Sequence, residues 1–232
     1  MSNWVWRRIK AWEKRYRGTY SHDIVDPEER RKSQFYMDWV DHGILRRRWH
    51  NFDEIAPGLY RANHPDHARF KAYKARGITT ILNLRGASHH SHYKFEVESC
   101  AALGLDLIDL PMSARRVPPV ARLVEVMDVL DALTGPTLMH CKSGADRTGL
   151  VSAVYYLHNL GRAPDEARKM LSINYLHLKF TSTGIQDYVI DMYARRAAQG
   201  PISFRDWVTS EYDPDQAVRE FAELGFWGRM RL

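Results

Sequence analysis

The stretch from Pro136 to Asn159 constrains the fold most. Pro136 to His140 is an apolar run of strand length, and Thr148 to Asn159 is a mostly apolar run of helix length. Only the residues from Cys141 to Arg147 separate them. A buried strand that turns so abruptly into a buried helix belongs to a parallel sheet covered by helices on both faces. The flanking sequence repeats the alternation. Gly58 to Arg61 reads as a short strand, Pro65 to Ala75 as a helix stopped by Gly77, and Thr79 to Leu84 as a β-rich run closed by Arg85-Gly86. Tyr93 to Leu103 reads as a helix ended by Gly104, Asp106 to Leu110 as a strand stopped by Pro111, and Val120 to Leu133 as a helix.

Beyond residue 160 the pattern turns helical. Pro164 to Leu171 begins with proline at a first-turn position, Ile185 to Ala197 follows, and residues 202–232 read as one or two helices after the Gly200-Pro201 break. The expected fold is therefore α/β: a twisted, mostly parallel central sheet flanked by helices, with N- and C-terminal helical extensions. The expected division is 1–50 (basic helix and arm), 51–180 (the alternating domain) and 181–232 (a helical extension packed on it).

Charge is concentrated at one end. Six of the first 18 side chains are basic and one is acidic, so this segment holds +5 of the chain's net +6. Val5, Ile9, Trp12 and Tyr16 recur at helical spacing and predict a basic amphipathic helix. Such a helix either docks on its own domain or lies on an anionic membrane surface, a peripheral contact through residues 1–18. Residues 19–50 balance in charge and read as a connecting arm with some helix. No apolar run is long enough to span a membrane, and no secretory signal precedes the body, so a cytoplasmic location, or one peripheral to the inner face of the membrane, is expected. The two cysteines, Cys100 and Cys141, exclude a disulfide framework and suit a reducing compartment. No nucleic-acid motif is present, and nucleic acid is not expected as a partner.

The loop His140-Cys141-Lys142-Ser143-Gly144-Ala145-Asp146-Arg147-Thr148-Gly149 carries the chemistry. A glycine-containing loop feeding a helix N-terminus collects backbone N–H groups and forms an anion site. Arg147 offers a planar fork for two phosphate oxygens. The same positive field favours the Cys141 thiolate, a nucleophile aimed at a bound phosphorus.

This segment resembles the signature of the cysteine-dependent protein tyrosine phosphatase superfamily: His-Cys, five residues, Arg, then Ser or Thr. Asn51-Phe52 to His64-Pro65 and Ile81 to Gly86 are similar to its bacterial dual-specificity-like branch, and the resemblance covers about residues 51–180. It implies a phosphomonoesterase with Cys141 as the nucleophile that becomes phosphocysteine. Arg147 and the backbone of Lys142, Ser143, Gly144, Ala145 and Asp146 would hold the phosphoryl oxygens. Thr148 would assist departure of the sulfur, and His140 would support the cysteine. The chemistry needs no cofactor and no metal. His89, His90 and His92 cluster without carboxylate or cysteine partners at ligand spacing, and a place at the substrate mouth suits them better than a metal site. Cys100 is expected to be a buried apolar thiol, with a redox bridge to Cys141 as the alternative.

The general acid departs from the family pattern. The family places an aspartate on a loop upstream of the signature, but residues 110–124 contain no acid, and Met112 or Ala114 stands there instead. Asp146, inside the loop as in myotubularin-type lipid phosphatases, and Asp109, at a strand end, are the candidates, with Asp146 preferred on reach. The upstream loop carries Arg115 and Arg116, which suit a substrate with more than one anionic group. Protein phosphotyrosine is the family's generic substrate. A phospholipid or inositol phosphate is the alternative, and a phosphate-binding module without turnover is the second.

Overall fold

The structure is a computed structural model that describes residues 23–232. The basic segment 1–18 lies outside the described residues. Five strands, β1 (Asp53–Ala56), β2 (Leu59–Asn63), β3 (Thr80–Asn83), β4 (Asp106–Asp109) and β5 (Thr137–Cys141), form one sheet in the order β1-β2-β5-β3-β4. β1 pairs antiparallel with β2, and every other pairing is parallel. All five residues of the central strand β5 are buried, with Leu138, Met139 and Cys141 apolar among them. The α/β sheet expected from the alternation is the fold observed.

Side chains alternate across the sheet and fill two cores. Leu82, Met139 and Cys141 point into the larger one, with the helices Val120–Asp131, Asp146–His158 and Ile185–Ala197. Ile81 and Leu138 point into the smaller one, with Phe70 and Tyr73 of His67–Ala75 and Cys100 of Ser91–Leu103. The sheet thus stands between Cys100 and Cys141, so the alternative of a bridge between them has no support in the geometry. Burial pushes the Cys100 thiol up to about 12, which leaves it a protonated, apolar core residue.

Element ends follow local chemistry. Asp66 caps His67–Ala75 by accepting the amide of Arg69 at 3.0 Å. Gly104 ends Ser91–Leu103 at φ +60°. Residues 202–232 form three helices, Phe204–Ser210, Pro214–Glu223 and Phe226–Met230, one more than the upper expectation. The Asp213-Pro214 cap starts the second and Gly225 precedes the third. Tyr188, Val189, Phe204 and Trp207 share the larger core with Leu150 and Val154. The arm carries a helix, Pro27–Phe35, that continues as a π-helical turn, Tyr36–Val40, and then a short helix, Gly43–Arg46. Among the described residues no helix is long and apolar enough to cross a membrane.

Candidate active site

Cys141 ends the central strand, at the carboxyl edge where parallel sheets of this kind bind ligands. The chain then curls and enters the helix Asp146–His158, whose first-turn N–H groups have no intrahelical partner and point at the loop's centre. The curl depends on Gly144. Its φ is +72°, and a Cβ there would stand 2.7 Å from the Ala62 carbonyl and 2.8 Å from the Asn63 nitrogen. No side chain fits that space.

The Cys141 side chain is buried, which by itself would push its thiol up. The Arg147 guanidinium and hydrogen bonds from the Thr148 hydroxyl and backbone amide outweigh burial, and the net shift is downward. The Thr148 hydroxyl is buried with no other hydrogen-bond partner, so its dipole is free to favour the Cys141 thiolate. The Cys141 sulfur, the Arg147 guanidinium and the Thr148 hydroxyl therefore lie on one strand–loop–helix turn.

Three residues that the sequence did not single out hold that loop from outside. Arg61 of β2 is fully buried. It donates to the Gly144 carbonyl at 2.7 Å and the Met170 carbonyl at 2.9 Å, and it stacks 3.5 Å over the Tyr175 ring. Asn51 donates to the carbonyls of Ser143 at 3.0 Å and Tyr175 at 2.9 Å. Asp41, from the arm, accepts two bonds of 3.0 Å from Arg85 and pairs with Lys142 at 3.2 Å and Arg46 at 2.9 Å. Burial would raise the Asp41 carboxyl, but Arg85, Lys142 and Arg46 hold it well below the usual carboxylate range. Lys142 thus spends its ammonium on the arm and presents only backbone to the loop. One signal was available: Arg61 lies between Leu59 and Ala62 in a strand-like run, where a charge persists only if its donors are satisfied.

The two candidate acids occupy different surroundings. Asp109 is two strands from β5. Its carboxylate accepts from Asn83 at 2.8 Å and from the Tyr93 hydroxyl, so both oxygens are engaged away from Cys141. Asp146 lies beside Arg147 and accepts at Oδ1 from His177 Nδ1 at 2.8 Å. The other nitrogen of His177 donates to Asp187 Oδ2 at 2.6 Å. His177 is buried, which would lower it, yet its bonds to Asp146 and Asp187 raise it from 6.5 to about 9. A group raised on folding stabilises the folded state fully below its unfolded value. That contribution disappears as pH rises through the folded value. Unfolding midpoints of wild type and His177→Gln should therefore differ most below about pH 6.5 and converge towards about pH 9. A difference that stays constant across this window in denaturant titrations would contradict a protonated His177.

Arg115 and Arg116 are exposed on the loop after β4, and neither forms an ion pair with a described residue. Gln186 and Tyr212 pin that loop by donating to the carbonyls of Ser113 at 3.0 Å and Pro118 at 2.9 Å. Behind the nucleophile, buried His140 bonds Glu96 at 2.5 Å, and His64 Nδ1 lies 3.8 Å from the same carboxylate. Arg85 and Arg46 face His64, a field that disfavours a divalent cation. His92 packs edge-on against His64 at 5.7 Å and belongs to this cluster rather than to the mouth.

Comparison with known proteins agrees with the fold. Residues 55–161 match the family described as "Polymorphic toxin system, DSP-PTPase phosphatase". Among solved structures, TpbA of P. aeruginosa is similar at 21% identity and a TM-score of 0.51, over 75% of this chain and 92% of that one. A cysteine-to-serine form of TpbA in complex with phosphotyrosine is similar at 23% identity and 0.51, over 65% and 91%. Tk-PTP in a mutant form is similar at 17% identity and 0.51, over 64% and 97%. No curated protein sequence matches the chain.

Proposed function

We propose that this chain is a cysteine-dependent phosphatase of the protein tyrosine phosphatase superfamily, as the family match over residues 55–161 supports, and that it hydrolyses phosphomonoesters through a phosphocysteine on Cys141, with Asp146 as the proton donor. The observation that carries the reading is the convergence of Arg147 and Thr148 on a buried sulfur whose thiol they lower.

The ester's phosphoryl oxygens lie against the N–H groups of Lys142 to Arg147 and the Arg147 fork. The Cys141 thiolate attacks phosphorus, an S–P bond forms and the P–O bond breaks. The departing oxygen takes the proton of Asp146. Asp146 Oδ1 is held by His177, which leaves Oδ2 to carry the proton in this scheme. Water then attacks phosphorus and gives its proton to the Asp146 carboxylate. The S–P bond breaks, and the Thr148 hydroxyl and amide receive the sulfur as thiolate. Residues 51–180 hold the loop in this scheme, and residues 181–232 add Asp187 behind His177. Arg115 and Arg116 supply positive charge to further anionic groups of the substrate. The phosphotyrosine complex of TpbA supports an aryl ester as one substrate of this chemistry.

The covalent step has a direct test. An aryl leaving group needs no acid, whereas hydrolysis of the intermediate needs Asp146 as base. Asp146→Asn quenched in acid while turning over an aryl phosphate should carry a phosphoryl group on Cys141, seen by peptide mass spectrometry. Phosphate release with Cys141 unmodified throughout would falsify the covalent route.

A further inference from the structure

A second feature adjoins the phosphate loop and has no part in that chemistry. The segment from Ser172 to Phe180 and the C-terminal helix Phe226–Met230 together expose an apolar face. Trp227 is 75% exposed and Ile173 61%, and Leu176 and Phe226 are both more than half exposed. The aromatics hold one another, with Phe180 against Phe226 at 5.5 Å and Phe226 against Trp227 at 5.2 Å. Beside them opens a cavity of about 530 Å³, whose apolar walls include Ile173, Leu178, Phe180 and Met230.

Two observations tie this face to the site. His177 and Asp187 line the cavity's inner wall, and His177 bonds Asp146 of the phosphate loop. Tyr175, in the same segment, shares the Asn51 amide with Ser143 of the loop. The charge around the face has one dominant sign. Lys169 and Lys179 line the cavity, and Arg231 follows Met230 in the chain. None of the three forms an ion pair with a described residue.

We propose that this face docks on an anionic lipid bilayer and presents the phosphate loop to phosphomonoesters in lipid headgroups. Exposed Trp, Phe, Leu and Ile ringed by unpaired Lys and Arg match the chemistry of the membrane interface. Apolar side chains enter the acyl boundary there, Trp sits at headgroup level, and ammonium and guanidinium groups meet lipid phosphates. A neutral protein partner would leave these cations without counter-charges. The substrate class rests on the phosphocysteine reading, whereas docking does not.

The test uses the full chain and sedimentation with vesicles of phosphatidylcholine, with and without phosphatidylglycerol. Wild type and Cys141→Ser should both bind the anionic vesicles and bind neutral ones far less. Ile173→Ser/Trp227→Ser should bind at least about tenfold more weakly, since each exchange removes a large apolar side chain from the contact. Its turnover of a soluble aryl phosphate should be unchanged, which reports an intact fold and loop. Lys179→Glu should also weaken binding, and more so at low salt. Hydrolysis of phosphatidylglycerophosphate in vesicles should fall with binding in both variants. Three results would overturn the proposal. One is no preference for anionic vesicles. Another is equal binding by wild type and the double variant, with binding lost on deletion of residues 1–18. The third is a wild-type dimer in light scattering that the double variant dissolves. Loss of aryl turnover in Cys141→Ser reports the chemistry separately, so docking and catalysis can fail independently.

Discussion

Cys141→Ser is expected to lower turnover by roughly 10⁵-fold or more, the scale seen when a covalent nucleophile is removed. The site activates sulfur by stabilising its anion: Arg147 and the two Thr148 donors outweigh burial and bring the thiol down. A serine hydroxyl starts many units higher, and the same donors cannot ionise it near neutral pH. Phosphate binding should survive, because Arg147 and the loop backbone are untouched and one negative charge has left the site. Calorimetry with inorganic phosphate should therefore show equal or tighter binding alongside absent turnover of an aryl phosphate. Substantial residual turnover in the serine form would place the nucleophile elsewhere.

Asp146→Asn is expected to lower kcat/KM, which reports only the steps up to formation of the phosphocysteine, by roughly 10²–10⁴-fold on an alkyl phosphate and far less on an aryl phosphate. An alkoxide needs a proton as it departs, and a stable phenolate does not. Asparagine suits this test for a structural reason. Its side-chain oxygen can still accept from His177 Nδ1, so the link from the loop through His177 to Asp187 persists while the titratable proton is gone. Paired steady-state rates on the two esters measure the effect. Equal losses on both would mean that Asp146 braces the loop and does no proton transfer, and identical wild-type rates would remove it from the reaction.

Much of the framework was legible because it is local. The strand–loop–helix stretch from Pro136 to Asn159, the glycine stops at Gly77 and Gly104, and the proline start at Pro164 act within a few residues of themselves. The number of helices after residue 202 was less clear, because Gly225 alone does not distinguish a kink from a new helix start. Of the cluster His89, His90 and His92, one member leaves the surface. Alternation and helix phase carry His92 inward, onto His64 and behind the nucleophile.

The sequence by itself determined the loop, its cysteine and its guanidinium, since the backbone curl at Gly144 and the helix N-terminus need only neighbouring residues. The tertiary structure decided how that loop is held, and by what. Arg61 reaches Gly144 across 83 residues and Asp146 meets His177 across 31, while Asp41 meets Lys142 from the arm. None of these pairs has a spacing that chain periodicity could reveal. Strand order sets Arg61 beside the loop, and the packing of the arm and of the segment after Ser172 brings in Asp41 and His177; for the buried Arg61 and His177 an unpaired charge would cost more than the contact returns. The apolar face beside the site has the same origin. Ile173 and Trp227 stand 54 positions apart, and only the packing of the last helix against the segment after Ser172 makes them one surface.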